Sequence, residues 1–277
     1  MSRHLPFSYR CGRCGRCCAD MRIQLNPYEV ARLAHGQGLS TTDFLARSTH
    51  SGVWLKAGPD GGCVFLGEAG CAAHPDRPLV CRLYPLGRHR TSRGGERFAC
   101  LLPRPGSTGA YGPDGTIEDH LAANDATTFL EEADAWLALF SRAWSLFETL
   151  LGVDPLLAVL ASDIRLLVLD GHAPPRSRLL DPDVLANSLC AARGLSPPKT
   201  PEEKTRLHRE AVDQWLSGMG RTRDGGHERA ETLARLVAGL GMGLGVNLSG
   251  LFQHVSDEEP PGAMEMDEAL RLGADFL

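Results

Sequence analysis

The sequence predicts a mainly α protein in which a small, irregular, cysteine-rich α+β metal-binding module precedes an all-α helical region. Eight of the nine cysteines lie within the first 100 of 277 residues, and the same part of the chain is rich in glycine and proline. Beyond residue 126, apolar residues recur at steps close to a helical period. We therefore divide the chain into a cysteine module, residues 1–105, and a helical region, residues 106–277.

Two short helices are expected early in the cysteine module. Asn26 followed by Pro27 is typical of a helix N-cap with proline at the first helical position, and Ser40 is a suitable cap for a second helix. From residue 51 to 97 the sequence predicts strands and loops, which bury little apolar surface by themselves. We expect ligand bonds to a metal to hold this segment together.

The helical region begins after residues 102–115, a segment rich in proline and glycine that we interpret as a linker or a long loop. Thr200, Pro201 and Glu203 form the pattern of a capping box at the start of one helix. The predicted helices are Ala126–Leu151, Asp154–Leu169, the helix from Pro201 through Trp215, Gly226–Leu240 and Met266–Phe276.

No apolar run reaches the roughly 18 residues that a membrane span needs, and residues 1–16 contain no apolar stretch typical of a signal peptide. We expect a soluble, cytoplasmic protein with no membrane partner. Dense cysteines in a reducing compartment are more often metal ligands or redox groups than disulfides. Metal ligation is therefore the leading interpretation before any motif is considered.

Charge divides the chain at the same place. The first 100 residues carry 13 Arg and one Lys against seven acidic residues, a net of +7, so the remaining 177 residues carry −12 of the total of −5. A basic segment is typical of nucleic-acid binding, but bound thiolates are anionic and also call for cations. We favour charge compensation and expect no nucleic-acid partner, because the aromatic residues of a single-strand binder are sparse here.

The strongest motif is the run Cys11-Gly-Arg-Cys14-Gly-Arg-Cys17-Cys18. Cysteines spaced by three residues can all face one centre, and the intervening glycines allow the backbone to bend around it. This C-x2-C-x2-C spacing holds three corners of a 4Fe–4S cluster in ferredoxins, with a remote cysteine as the fourth ligand. Zinc accepts the same thiolates in tetrahedral geometry, and a redox dithiol is a further alternative.

A second, more widely spaced set completes the candidate ligands. Cys63 and Cys71 flank a predicted hairpin turn at residues 67–70, and Cys71-x-x-His74 has the spacing of half a zinc-finger site. The remaining candidates are Cys81 and Cys100. Eight thiols and one imidazole suffice for one four-coordinate site with spares or for two sites, and the spacing leaves open which of the adjacent Cys17 and Cys18 is a ligand.

The segment from Cys63 to Pro85, with Cys71-Ala-Ala-His74-Pro-Asp-Arg-Pro-Leu-Val-Cys81-Arg-Leu-Tyr-Pro85 at its centre, resembles the CxxCxxCC family of zinc- or iron-chelating domains. This family is also called the YkgJ cysteine-cluster family, and Cys11–Cys18 matches the motif in its name. The resemblance covers about residues 10–100. It implies that the eight cysteines are ligands, and His74 matches a position that often carries histidine. Some relatives have been tied to flagellin lysine N-methylation, with an iron–sulfur cluster proposed.

Arg77 and Arg82 are candidate cofactor-binding residues. An arginine beside cluster thiolates can donate hydrogen bonds to sulfur and offset negative charge. The alternative is that both side chains fix the loop by bonding to carbonyl groups or acidic residues. The residues themselves favour neither interpretation.

Other candidates are weaker. The repeated glycines of residues 239–245 invite a nucleotide or S-adenosylmethionine site, but they follow a helical pattern instead of a strand, so we interpret them as a helix end or tight packing. Asp119 and His120 are interpreted as a solvated loop. Cys190 is expected to be a buried residue of a helix. Four histidines are expected at the surface: His172, His208, His227 and His254.

The sequence thus predicts a metal-binding protein, with a 4Fe–4S cluster favoured over zinc because four thiolates are available without any histidine. The alternative is a cluster-dependent enzyme, such as a protein lysine N-methylase that uses S-adenosylmethionine. No catalytic constellation is visible, so the sequence identifies no catalytic residue. The helical region is expected to bind an unidentified protein or small molecule.

Overall fold

A computed structural model describes residues 1–19, 22–58, 61–90, 95–151, 177–219, 226–246 and 248. Helices dominate these residues, and each sheet within them is a pair of short antiparallel strands. The predicted mainly α class is therefore confirmed. The predicted helices 154–169 and 266–276 lie outside the described residues.

The amino-terminal part alternates short helices with strand pairs. Its helices are α1 Pro27–Gly36, α2 Thr41–Ser48, α3 Leu79–Leu83 and α4 Ile117–Ala123, and its strands are β1 Tyr9–Arg10, β2 Thr49–His50, β3 Trp54–Leu55, β4 Leu66–Gly67, β5 Gly70–Cys71, β6 Leu86–Arg90, β7 Glu96–Cys100 and β8 Ala110–Tyr111. The antiparallel pairs are β1 with β8, β2 with β3, β4 with β5 and β6 with β7. Most strands have only two residues, so backbone pairing contributes little to holding this part together.

The carboxy-terminal part is built from longer helices. They are α5 Thr127–Leu151, α6 Pro182–Ala192, α7 Pro201–Met219 and α8 Gly226–Gly243. Their buried side chains form the largest apolar cluster among the described residues, with Trp136, Phe140 and Phe147 fully buried on α5. The predicted helices that begin near residues 126, 201 and 226 are confirmed.

Helix α1 joins the two parts. The Asn26 side chain accepts hydrogen bonds from the backbone N–H groups of Tyr28 and Glu29, at 2.9 and 3.1 Å, and Glu29 Oε2 accepts from Asn26 N at 2.9 Å. This capping box satisfies donors that the first helical turn leaves free. On one side, Val30 and Leu33 pack into an apolar cluster of the amino-terminal part.

The other side of α1 faces the start of α7. Tyr28 belongs to the large apolar cluster of the helical region, and its hydroxyl donates to Glu202 Oε1 at 3.1 Å. Arg32 forms an ion pair with the same carboxylate at 3.3 Å. Contacts between residues 170 and 174 positions apart therefore fix α1 against the helical region.

The glycines of residues 239–245 allow close packing. A Cβ atom added at Gly239 would lie 2.2 Å from Leu180 Cδ1, and one at Gly243 would lie 2.5 Å from the backbone oxygen of Leu25. Helix α8 ends at Gly243, and Gly245 has a positive φ of +71°. The interpretation as a helix end and tight packing is confirmed.

Two surface predictions are wrong. His208 is fully buried, because Nε2 bonds to the carbonyl oxygen of Leu179 at 2.7 Å and the ring packs against Trp136. Residues 119–120 lie in helix α4 and not in a loop: Asp119 completes a capping box with Thr116, and the buried ring of His120 bonds to the carbonyl oxygen of Leu83 at 3.2 Å. The side chains of His172, His227 and His254 lie outside the described residues.

The segment expected to be a linker is in contact with the cysteine module. Tyr111 in β8 pairs with Tyr9 in β1, and Ser107 lies 3.4 Å from the Tyr9 hydroxyl. The boundary at residue 105 stays a prediction. In the described part of the chain, no helix is both long and apolar enough to cross a membrane.

Candidate metal centre

The loop that carries the first four cysteines turns sharply. Gly15 has a φ of +72°, a conformation that glycine adopts without strain, and a single 3₁₀ turn follows at residues 16–18. Cys11 and Cys14 are exposed, whereas Cys17 and Cys18 are half-buried. The Sγ atoms of Cys17 and Cys18 are 3.9 Å apart.

Cys63 and Cys71 lie at the two ends of the predicted hairpin. Strands β4 and β5 pair Leu66 with Cys71, which confirms the hairpin. The backbone N–H of Cys63 donates to the carbonyl oxygen of Cys18 at 2.9 Å. This bond joins the hairpin directly to the end of the C-x2-C-x2-C loop.

Helix α3 carries Cys81, which packs against the same apolar cluster as Cys63 and Cys71. The Glu29 side chain, which caps α1, also accepts a hydrogen bond from the backbone N–H of Leu79 through Oε1, at 2.7 Å. The first turn of α3 is thereby fixed to α1. Burial raises the pKa of the Cys81 thiol well above its usual range, and interactions with Cys63, Cys17 and Cys71 raise it further.

Cys100, at the end of β7, is exposed. Its Sγ is 3.5 Å from the hydroxyl of Tyr111 in β8. Thr108 lies three residues before Tyr111, and its backbone N–H donates to Cys14 Sγ at 3.4 Å. The segment from Thr108 to Tyr111 therefore contacts both Cys14 and Cys100.

The thiols differ in how readily they lose a proton. Hydrogen bonds from the backbone N–H groups of Thr108 and Arg16 lower the pKa of Cys14 to about 7. The contact between the Cys17 and Cys18 sulfurs lowers the pKa of Cys17 to about 7 and raises that of Cys18. Deprotonated cysteine is the form that binds metal, so Cys14 and Cys17 favour that form near neutral pH.

Cations surround the first loop. Arg10, Arg13 and Arg16 are exposed, and no ion pair joins any of them to a carboxylate of the described residues. Their charges lie on the loop that carries the exposed thiols. This placement agrees with the expectation that arginines offset thiolate charge.

His74 lies in a 3₁₀ turn after the hairpin, and its backbone oxygen accepts from Arg77 Nη1 at 2.9 Å. The guanidinium of Arg77 also donates to Asn124 Oδ1 at 3.0 Å. Burial raises the pKa of the Cys71 thiol, and the charge of Arg77 offsets part of that rise. Burial, with the nearby charge of Arg77, lowers the pKa of His74. A neutral imidazole is the form that ligates metal.

Arg82 is almost fully buried and bonds to carbonyl groups. Its guanidinium donates to the backbone oxygens of Pro75, Arg77 and Asn124 at 2.6 to 2.9 Å, and it lies 4.0 Å from the centre of the Phe129 ring. These contacts match the loop-fixing alternative for Arg82. The assignment of Arg77 and Arg82 as cofactor neighbours stays a prediction.

The donor set fits zinc and iron. All nine cysteines are free thiols, eight of them lie in the segments just described, and thiolate is the preferred ligand of zinc and of iron–sulfur clusters. As placed, no three His, Cys, Asp or Glu side chains of the described residues are arranged to hold one ion. The segments bring the thiols into one region, and metal binding would draw them together, as is usual when binding is coupled to folding.

Comparison with known proteins agrees with this donor set. Residues 10–99 match the family model of CxxCxxCC, described as a putative zinc- or iron-chelating domain. This segment belongs to that family. The predicted resemblance is thus confirmed, and the family's description covers zinc and iron alike. No curated protein matches the chain, and neither does any solved structure.

Sequence reasoning missed three residues around the CxxCxxCC domain. Glu29, Thr108 and Tyr111 contact the segments or side chains of candidate ligands, yet none belongs to a cysteine motif. The capping role of Glu29 could have been predicted, because an acidic residue three positions after an Asn cap completes a capping box. Thr108 and Tyr111 lie beyond the end of the family match and carry no local signal.

Proposed function

We propose that the protein binds metal through the seven cysteines of its CxxCxxCC domain together with Cys100, which directly follows the matched residues, and that the metal is held as an iron–sulfur cluster or as zinc. The observation that carries the proposal is a set of eight free thiols on four separate segments, the first loop, the hairpin, helix α3 and strand β7, which hydrogen bonds such as that from Cys63 N to the carbonyl oxygen of Cys18 link to one another. The ligands would be Cys11, Cys14, Cys17, Cys18, Cys63, Cys71, Cys81 and Cys100, with His74 as a further donor.

A 4Fe–4S cluster is our preferred cofactor, because the thiolates suffice without His74 and the first three cysteines have the ferredoxin spacing. Such a cluster supplies one-electron transfer when it is bound, whereas zinc supplies a structural cross-link. The chain's own contribution is to align the thiols, to favour deprotonation of Cys14 and Cys17, and to place Arg77 beside Cys71.

No observation on the described residues favours the S-adenosylmethionine-dependent enzyme. Gly239 and Gly243, which could have marked a nucleotide site, are packed against Leu180 and the backbone of Leu25. We therefore retain metal binding as the function and keep methyl transfer as a prediction that metal analysis alone does not test.

The test is elemental analysis, with labile sulfide and an ultraviolet–visible spectrum, on full-length protein purified without oxygen. We expect metal bound in stoichiometric amount, with a brown colour and absorption near about 400 nm for a cluster. Cys190→Ser serves as the matched control, because Cys190 is buried in α6, outside the candidate site. Wild-type protein without bound zinc or iron after reconstitution with each would overturn the proposal.

A further inference from the structure

We propose that the eight cysteines form two four-thiol metal centres. An inner centre consists of Cys18, Cys63, Cys71 and Cys81, and an outer centre consists of Cys11, Cys14, Cys17 and Cys100. The inference rests on the proposed function, since it assigns thiols that are first taken to bind metal. It divides them by two independent features, their apolar surroundings and their backbone connections.

Apolar surroundings define the inner group. Cys63 is a buried member of one apolar cluster, and Cys18, Cys71 and Cys81 pack against the same cluster. The cluster includes Leu33 of α1 and Phe44 of α2. Cys11, Cys14, Cys17 and Cys100 belong to none of the apolar clusters of the described residues.

Backbone connections agree with this grouping. The N–H of Cys63 donates to the carbonyl oxygen of Cys18, and the hairpin of β4 and β5 joins Cys63 to Cys71. Cys81 completes the group from α3, where the bond from Leu79 to Glu29 fixes the helix against α1. Four thiols from three segments thus pack in or against one apolar cluster.

The outer group shares a different neighbour. Three of its thiols occupy the first loop with the C-x2-C-x2-C spacing. The segment that contains β8 lies against this loop, with Thr108 N–H bonded to Cys14 Sγ and Tyr111 paired with Tyr9. The Tyr111 hydroxyl lies 3.5 Å from Cys100 Sγ, so the same segment contacts both Cys14 and the fourth thiol.

Cys17 and Cys18 mark the boundary between the centres. Cys18 packs against the apolar cluster, whereas Cys17 belongs to none of the apolar clusters of the described residues. Their Sγ atoms are 3.9 Å apart, so ligands of the two centres are in contact. The inner centre has less solvent access than the outer one, because Cys11, Cys14 and Cys100 are exposed. Metal in the outer centre should consequently be the faster to exchange.

The experiment counts zinc in full-length protein reconstituted with zinc alone, and it then follows the release of zinc to a coloured chelator. We expect about two zinc ions per chain, each with sulfur ligands at about 2.3 Å by X-ray absorption. Release should occur in a fast and a slow phase of equal size. Cys14→Ser and Cys100→Ser should each abolish the fast phase and leave the slow phase unchanged, while Cys190→Ser should retain both.

Cys100→Ser is the decisive variant, because Cys100 is assigned to the outer centre through its contact with Tyr111. Two zinc ions and both phases in this variant would overturn the division. One zinc ion in wild type, lost from both the Cys14→Ser and the Cys71→Ser proteins, would also overturn it, although metal binding itself would stand. Zinc-free wild type that also fails to take up iron would instead remove the proposed function.

If Cys71→Ser does not fold, the two outer variants and the wild-type release phases still decide the outcome. A single release phase for two wild-type zinc ions, unaffected by Cys14→Ser, would contradict the proposal. Iron and labile sulfide in the protein as isolated provide a second count of the metal centres per chain, because a 4Fe–4S cluster also needs four protein ligands.

Discussion

The cysteine module and the helical region reach a folded structure by different means. The helical region buries a continuous set of large side chains, including Trp136, Phe140 and Phe147, between long helices. The cysteine module combines short helices with strand pairs of two to five residues, and thiols occupy positions in its apolar cluster.

This difference indicates where stability comes from in each part. Apolar burial stabilises the helical region in proportion to the area removed from water. In the cysteine module, Cys63 and its neighbours take the place of larger apolar side chains, so ligand bonds have to supply part of the free energy of folding.

Removal of metal should produce the largest difference in stability between the two parts. A structural zinc site contributes roughly 10–16 kcal/mol of apparent binding free energy in small domains. Chelation should therefore abolish protection of the amides of β4–β7 while those of α5 and α8 stay protected. Hydrogen exchange followed by mass spectrometry measures both parts in one sample.

Simultaneous loss of protection in α5 and α8 on chelation would show that the two parts unfold as one cooperative unit. The contacts of Tyr28 and Arg32 with Glu202 would then transmit the loss of metal. Cys190→Ser, treated identically, controls for modification of Cys190, the thiol buried in α6.

The two parts should also respond oppositely to pH. Burial lowers the pKa of His208 in α7 to about 4, whereas burial raises that of Glu29 in α1 to about 7. The His208 contribution is complete above about pH 6.5 and is lost as pH falls towards 4. The Glu29 contribution is complete below about pH 4.5 and is lost as pH rises towards 7. Each amounts to about 3 kcal/mol at its limit, from about 1.4 kcal/mol per pH unit.

Denaturant unfolding at a series of pH values measures these contributions. His208→Gln should flatten the profile between about pH 4 and 6.5, and Glu29→Gln should flatten it between about 4.5 and 7, relative to wild type. Identical pH profiles for His208→Gln and wild type would contradict the assignment of a neutral buried His208. The thiols contribute equally to the pH profiles of variant and wild type, so their contribution cancels when one profile is subtracted from the other.

Local patterns explain what the sequence could predict. The caps at Asn26, Ser40 and Thr200 and the hairpin between Cys63 and Cys71 depend on residues a few positions apart, and each is present. The eight thiols of the candidate site were recognisable for the same reason, since their spacing is a property of the sequence alone.

Long-range contacts explain what it could not predict. His208 was expected at the surface because nothing near it in sequence indicates that the carbonyl of Leu179 will meet its ring. Tyr111 lies in a segment of proline and glycine, and its contact with Cys100 arises only when β8 pairs with β1. Neither contact leaves a periodic or compositional signal.

Substitutions at two glycines test how closely α8 is packed against the cysteine module. Gly243→Ala would place a Cβ atom 2.5 Å from the backbone oxygen of Leu25, so we expect a loss of about 1–3 kcal/mol. Gly218→Ala is the matched control in α7, since no atom lies within 4 Å of an added Cβ there. That change should stabilise by about 0.5–1 kcal/mol. Thermal unfolding of both variants against wild type gives the two values, and equal effects would contradict the close approach.

The smallest effects are expected at the helix caps. Ser40 Oγ accepts from Asp43 N at 3.0 Å, and Thr200 Oγ1 accepts from Glu203 N at 3.2 Å. Ser40→Ala and Thr200→Ala should each cost about 1 kcal/mol in denaturant unfolding. If chelation unfolds the cysteine module while the helical region stays folded, Ser40→Ala should lower only the stability of the cysteine module. Equal shifts of both parts in either variant would again indicate one cooperative unit.

The distance in sequence between α1 and Glu202 has a consequence for biosynthesis. All eight clustered thiols are synthesised by residue 100, whereas α7, which covers one side of α1, ends only at Met219. At about 5–20 residues per second, roughly 6–24 seconds separate these two points. During that interval the nascent chain presents a full set of thiols without the helices that later cover α1. Metal delivered during this interval would bind the thiols before α7 covers α1.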